Sequence, residues 1–273
     1  MSHHGYSERR ACRLTKQNRS VQKYRSTLDP RTELRQRMKE IAAVRVRYGY
    51  RRIRVMLNRE GLQAGKNLVW RLYKEEGLAL RKKPPKRRKV AVQREDRFKA
   101  GRANDVWSLD FMSDEFGNGQ RFRLLTVVDV FTREALATDI GIRLRGEDVV
   151  QTLNRLVAQH GKPRYLFADN RSEFTGRLMD MWAYHHGTRL DFGRPGKPTD
   201  NAFIETFNGP LRDECLNVHW FESIAQAKDI IECWRLDYNE SRPHMALGNT
   251  PPSKFALQMR VSGGSTCPST ADS

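Results

Sequence analysis

Asp110, Asp169 and Glu205 stand in the contexts Trp107-Ser108-Leu109-Asp110, Phe167-Ala168-Asp169-Asn170 and Thr199-Asp200-Asn201-Ala202-Phe203-Ile204-Glu205, and 35 residues separate the last two acids. Three carboxylates converging from separate elements form an oxygen donor set for two divalent ions. In that chemistry one ion lowers the pKa of a water or 3′-hydroxyl nucleophile, and the other stabilises the oxygen that leaves phosphorus in line. Plainer readings stand beside it. An Asp at a strand end is often a turn residue, and a Glu near a helix start is often only a partner of the helix dipole.

The elements that must position these acids begin near residue 104. Strands are expected at 106–112, 121–131 and 134–140, with a turn at Gly117-Asn118-Gly119. Alternation puts Trp107, Leu109 and Phe111 on one face of the first strand and Asp110 on the other. The middle strand is apolar on both faces and is read as central. A helix follows at 147–160, then a short strand at 165–168, a helix at 174–186 and a strand at 188–192. A further helix starts near Thr199 or Asp200, either of which can cap it, and the last long helix covers 222–239. Three antiparallel strands followed by alternating strands and helices predict a mixed-sheet α/β layer. It places Asp169 at the end of a strand beside Asp110, with Glu205 on a helix crossing that end.

The chain carries a net charge of +18, unevenly placed. Residues 1–105 hold 31 basic and 10 acidic residues, and the remainder is slightly acidic. Such a field attracts a polyanion, and counterion release makes nucleic acid the leading partner over an acidic membrane. Residues 1–28 read as a basic arm or part of a preceding module, almost without apolar periodicity. Three short helices ending at Gly61 and Gly77 occupy 29–80, as a helix-turn-helix module or a generic small bundle. Residues 81–89 contain seven basic residues and two prolines, so 81–103 reads as an extended basic linker. The four cysteines are scattered, which predicts reduced thiols and a cytoplasmic protein. No apolar run is long enough to span a membrane, and no signal peptide is evident.

Beyond these patterns, several stretches resemble one family closely. They are Ser7-Glu8-Arg9-Arg10-Ala11-Cys12, Tyr48-Gly49-Tyr50-Arg51-Arg52-Ile53, Arg71-Leu72-Tyr73-Lys74-Glu75-Glu76-Gly77-Leu78, residues 107–111, Asp129-Val130-Phe131-Thr132-Arg133, His160-Gly161-Lys162-Pro163, residues 196–208, and Tyr238-Asn239-Glu240 with Arg242-Pro243-His244 and Ala246-Leu247-Gly248. Together they resemble the second-reading-frame product of insertion-sequence-three family transposases, with the catalytic core of DDE integrases. The resemblance implies an RNase H-like mixed five-stranded sheet flanked by helices over 104–240. A small all-α helix-turn-helix domain precedes it, and a C-terminal extension at 241–273 with a disordered tail follows. It further implies Mg²⁺ or Mn²⁺, two ions held by Asp110, Asp169 and Glu205, with Asn170 and Asn201 positioning the backbone around them. The implied reaction is strand cleavage at the element's ends and transfer of the freed 3′-hydroxyl to a target phosphodiester. The implied partners are double-stranded DNA, an upstream-frame product or a fusion with it, and further copies of the chain on DNA, associated with the nucleoid. Candidate DNA contacts are Arg51, Arg52, Arg71, Lys82, Lys83, Lys86, Arg87, Arg88, Lys197 and Arg212.

Two positions depart from the family pattern. Arg171 stands where the family has a glycine after Asp-Asn, and a positive φ there costs a non-glycine residue roughly 1–2 kcal/mol. This predicts a displaced Asp169 or a crowded metal site. Pro210 stands five residues beyond Glu205, where a helix interior is kinked at a cost of about 3 kcal/mol. Both support an alternative reading, an impaired DNA-binding accessory protein from a degenerate element. A viral-type integrase is excluded because His3-His4 and a solitary Cys12 do not supply its zinc module. His185-His186 are read as a helix end, His244 as a buttress of the closing loop, Asp129 and Asp200 as a strand end and a cap, and Trp182 and Trp234 as core.

Overall fold

The computed structural model of the protein describes residues 7–24, 31–79, 98–194 and 201–262. It divides into two compact units, Met1–Arg37 and Met38–Ser273. In the first unit, where the sequence shows little periodicity, two short helices form, α1 (Glu8–Leu14) and α2 (Arg19–Lys23). Each is started by a side-chain cap, Ser7 and Asn18 respectively, which answers an orphan N–H that periodicity does not reveal.

The second unit is built on strands β1 (Val106–Glu115), β2 (Arg121–Asp129), β3 (Ala135–Gly141), β4 (Tyr165–Ala168) and β5 (Arg189–Phe192). They lie in the order β3-β2-β1-β4-β5. β1, β2 and β3 pair antiparallel, whereas β4 and β5 join in parallel. This is the RNase H-like arrangement. β2, with its apolar run Leu124–Val128, lies inside the sheet between β3 and β1 as expected. β1 is the middle strand because the crossover through a helix returns the chain beside it.

Helices cover both faces of this sheet. Trp107, Leu109 and Phe111 pack with Leu125 and Val127 under α6 (Gly146–His160) and α8 (Arg177–His186). On the opposite face Met112, Phe122, Leu124 and Val128 meet α9 (Ala202–Leu211) and α10 (Ile224–Ser241) through Ile204, Phe207, Ile231 and Tyr238. The helix expected over 174–186 is two pieces, α7 (Ser172–Thr175) and α8, because Gly176 adopts an extended backbone between them. His185 and His186 end α8 ahead of a left-handed Gly187. Pro210 lies inside α9, and two residues later the helix passes into a π-helical turn, Arg212–Leu216. A proline supplies no N–H to the carbonyl four residues back, and a change of helical frame is a common response.

Helices α3 (Thr32–Val44), α4 (Tyr50–Arg59) and α5 (Lys66–Glu75) precede the sheet, with Gly61 and Gly77 in left-handed turns after α4 and α5. Arginines of α4 and of the loop between α3 and α4 also face protein. Arg45 forms a bidentate pair with Asp237, and Arg47 pairs with Asp213 at 3.0 Å. Arg59 donates to the carbonyls of Ser241 and Asn249, both at 2.8 Å. Beyond α10, a single turn Met245–Leu247 leads to α11 (Pro252–Ser262). The tail expected beyond it lies outside the described residues, as does most of the basic linker.

His244 buttresses this closing segment. Its Nε2 lies 2.9 Å from the Tyr238 hydroxyl. Burial pushes Tyr238 up to about 12, so its O–H stays a donor and the imidazole nitrogen accepts. Burial, with Arg52, Arg242 and Arg133 nearby, pushes His244 down to about 4. A folded-state pKa below the unfolded value means that the unfolded chain takes up the proton first. The stability tied to neutral His244 is therefore complete above about pH 6.5 and lost as pH falls toward 4. We expect chemical denaturation to show a loss approaching 3 kcal/mol over that window. His244→Gln should remove most of that dependence, and an equal pH profile in the variant would assign it to other groups.

Candidate active site

Parallel pairing of β1 and β4 matches Val106 with Tyr165, Trp107 with Leu166 and Ser108 with Phe167. Continued for two residues, the same register sets Asp110 against Asp169. Asp110 points away from the Trp107, Leu109 and Phe111 face, toward α9. Its Oδ1 accepts the Phe111 N–H at 2.7 Å and its Oδ2 accepts Nδ2 of Asn208 at 2.8 Å. Burial pushes the Asp110 carboxyl above the usual range, against the pull of the Phe111 N–H, Arg171 and Asn208. Nearby Asp169 adds to the rise.

Asp169 follows β4 directly. Asn170 ties this loop to the end of β5 by donating from Nδ2 to the Gly193 carbonyl at 2.7 Å. Arg171 has φ −72° and ψ 150°, an ordinary extended backbone. The strain expected at this position is therefore absent, because the turn does not need a left-handed residue. Instead the side chain reaches back over the acids. Its Nε donates to Asp169 Oδ2 at 2.6 Å, and Nη2 lies 3.9 Å from Asp110 Oδ1.

Glu205 occupies the first turn of α9 and makes no hydrogen bond or ion pair with the described residues. It shares a helix face with Asn208, three residues on, which touches Asp110. Asn201 is the N-cap residue of α9, yet its side chain makes no capping bond and its Oδ1 is buried without a partner. Asn208 Oδ1 is likewise buried and unpaired. Asn208 carries no signal in the sequence beyond lying one turn past Glu205. Among the described residues no three His, Cys, Asp or Glu side chains converge closely enough to hold a metal ion. The structure brings Asp110 and Asp169 together around a cation, Arg171, and leaves Glu205 outside the pair. Oxygen donors already arranged about a positive charge, beside an unpaired buried amide oxygen, suit a hard divalent ion.

The candidate DNA contacts fall into different places. Arg51 and Arg71 are exposed on α4 and α5, and Arg71 pairs with Glu75 at 3.6 Å. Arg52 is half-buried, with its guanidinium over the Tyr48 ring. Arg212 donates to the Ser113 carbonyl at 2.8 Å. Lys82, Lys83, Lys86, Arg87, Arg88 and Lys197 lie outside the described residues. A feature that no sequence pattern signals is a cleft of about 570 Å³ between the loop that follows β3 and the starts of α7 and α8. Arg143, Arg145 and Arg177 line it beside Ser172 and the Arg123–Glu173 pair. All three are exposed and form no ion pair among the described residues.

Sheet order and strand directions, with Asp110 inside the middle strand and Asp169 just past β4, are those of an RNase H-like core. A family model described as an integrase core domain matches residues 100–198, and another so described matches 186–252. An HTH-like domain matches residues 30–88, which decides between the two readings of the helical module. In fold the chain is similar to a simian T-cell lymphotropic virus intasome structure, with TM-score 0.54 and 15% identity over 86% of this chain and 78% of that one.

Among sequences, a 31.7 kDa insertion element IS407 protein of Burkholderia multivorans is 46% identical over 93% of this chain and 92% of its own length. The transposase for insertion sequence element IS904 of Lactococcus lactis is 27% identical over 77% of this chain and 87% of its own. The chain belongs to the insertion-sequence-three-like family of insertion-element transposases with an integrase core.

Asn208→Ala leaves Asp110 without its side-chain donor. We expect the Asp110 carboxyl to titrate at higher pH in the variant, read by carboxyl-carbon NMR. Stability should fall by about 1.5 kcal/mol, the low end for a bond to a charged acceptor because an unpaired oxygen is removed as well. An unchanged Asp110 titration would dissociate Asn208 from the site.

Proposed function

We propose that the protein cuts one DNA strand at each end of an insertion element and joins the freed 3′-hydroxyl to a target phosphodiester. The observation that carries this reading is the placement of Asp110 and Asp169 side by side around a cation, with the Glu205 helix packed over the same sheet. In the first step a water oxygen bonds to phosphorus as the phosphorus–O3′ bond breaks. In the second, that O3′ bonds to the target phosphorus as the target's own phosphorus–O3′ bond breaks, so the number of ester bonds is conserved. Divalent ions such as Mg²⁺ or Mn²⁺, when bound, supply Lewis acidity to the attacking and leaving oxygens.

Asp110, Asp169 and Glu205 would hold them, with Asn208 and the Phe111 N–H fixing one Asp110 oxygen each. Asn170 holds the Asp169 loop against β5, and Asn201 stands at the start of the Glu205 helix. Arg143, Arg145 and Arg177 would take phosphates of duplex DNA in the cleft beside Ser172, in a core that is otherwise slightly acidic. The exposed faces of α4 and α5, with Arg51 and Arg71, and the basic linker would bind DNA farther from the cut. Copies of the chain would assemble on DNA, as would an upstream-frame product. Among the described residues no helix is long and apolar enough to cross a membrane.

Asp110→Asn, Asp169→Asn and Glu205→Gln should each lower Mg²⁺-dependent nicking of an element-end duplex by at least about 100-fold while duplex affinity holds. A variant that nicks at the parental rate would remove its residue from the assignment. Replacing Arg143, Arg145 and Arg177 together with Gln should flatten the salt dependence of duplex binding. The slope of log K against log salt falls by about 0.9 for each phosphate no longer neutralised, so a decrease of about 2 to 3 is expected. A slope equal to the parent's would place the duplex elsewhere.

A further inference from the structure

Arg171 holds the two acids for which a metal ion would compete. Its backbone N–H and Nε both engage Asp169, at 3.3 and 2.6 Å, and Nη2 faces Asp110 Oδ1. A divalent ion held by Asp110 and Asp169 would compete with the guanidinium for these carboxylates. Nothing in the backbone forces the arginine there, since its φ is ordinary. The attraction is electrostatic: two carboxylates set against each other by the β1–β4 ladder are relieved by whichever cation lies between them. The arginine side chain is 42% exposed, while Asp110 is 21% and Asp169 31% exposed. It can therefore swing outward without dismantling the core.

We propose that Arg171 is the resident cation of this site, pairing Asp110 and Asp169 before metal binds. It yields them to a divalent ion when a DNA phosphate takes over the guanidinium. The inference rests on the metal reading given under Proposed function. Its consequence is linkage: DNA tightens metal binding, and metal tightens DNA binding by the same factor. The cost of releasing a half-exposed ion pair sets the size of the effect at roughly fivefold in metal affinity.

Mn²⁺ binding to the full chain, followed by the paramagnetic resonance of the free ion, tests this without turnover. Arg171→Gly and Arg171→Gln should bind Mn²⁺ about fivefold more tightly than the parent, and Arg171→Lys should fall between. A duplex carrying an uncleavable phosphodiester analogue should tighten Mn²⁺ binding in the parent and leave Arg171→Gln unchanged. Equal Mn²⁺ affinity in parent, Gly and Gln variants would overturn the role of Arg171, as would equal enhancement by DNA in parent and Gln variant. Asp110→Asn separates the two readings. Loss of Mn²⁺ binding in that variant confirms where the ion sits, so a null result at Arg171 then counts against this inference alone. Retention of Mn²⁺ binding in Asp110→Asn overturns both.

Discussion

Like charges close in space repel, and Asp110 on β1 and Asp169, just past β4, form such a pair. At an effective dielectric typical of pairs near a protein surface, two unit charges about 4 Å apart differ by roughly 4 kcal/mol from two that are far away. The sheet cannot relax this by moving the strands, because the β1–β4 ladder fixes the register and β4 is itself paired to β5. The surroundings instead supply donors and a cation. A backbone N–H and the Asn208 amide meet Asp110, and Arg171 meets Asp169 and faces Asp110. A site that depends on a cation between fixed carboxylates is suited to exchanging one cation for another, and less suited to neutral chemistry.

The abundance of arginine has a second use besides attracting a polyanion. Arg242 is almost fully buried in a bidentate pair with Glu214 at 2.5 and 2.8 Å, with its guanidinium over the rings of Tyr48 and Tyr238. Such a pair is costly to bury and costly to break, since either partner left alone is an uncompensated charge. Planar, permanently charged guanidinium groups suit this work better than lysine would, because they stack on rings and bind carboxylates through two nitrogens. Arg45, Arg47 and Arg59 are also engaged from the helical module, in more exposed contacts. Net charge therefore overstates the positive surface left for DNA.

The sheet was readable from the sequence because its signals are local. Alternation in residues 106–112, a Gly-Asn-Gly turn and a doubly apolar strand each specify an element, and the crossover helix fixes a parallel partner. Burial on both faces marked β2 as an interior strand, which it is, but such burial does not tell one interior strand from another. The neighbouring placement of Asp110 and Asp169 follows from strand register. The position of the Arg171 side chain does not, because it depends on a rotamer chosen by charge; only the residue's departure from the family glycine pointed to the spot. The expectation of strain failed there because glycine in a family motif does not by itself establish a positive φ. Asn208 was missed for a related reason: an amide one turn past an acid matters only once the facing strand is known. The arginine cleft joins the loop between β3 and α6 to the start of α8, residues that lie far apart in the chain and share no motif.

The mounting of Glu205 is asymmetric. Past it, the helix is held at several points: Asn208 to Asp110, Arg212 to the Ser113 carbonyl, and the π-helical turn through Arg47–Asp213 and Arg242–Glu214. Pro210 and the π turn thus sit in a stretch anchored by side chains, where a missing backbone bond is compensated by its surroundings. Before it, Asn201 Oδ1 is buried and unpaired, and Glu205 itself has no partner among the described residues. An unpaired buried acceptor costs on the order of 1–3 kcal/mol, and here two amide oxygens on this element, Asn201 Oδ1 and Asn208 Oδ1, bear it. Unmet acceptors beside the third acid, on a helix fixed from its far end, leave that end of the element to be completed by what binds there.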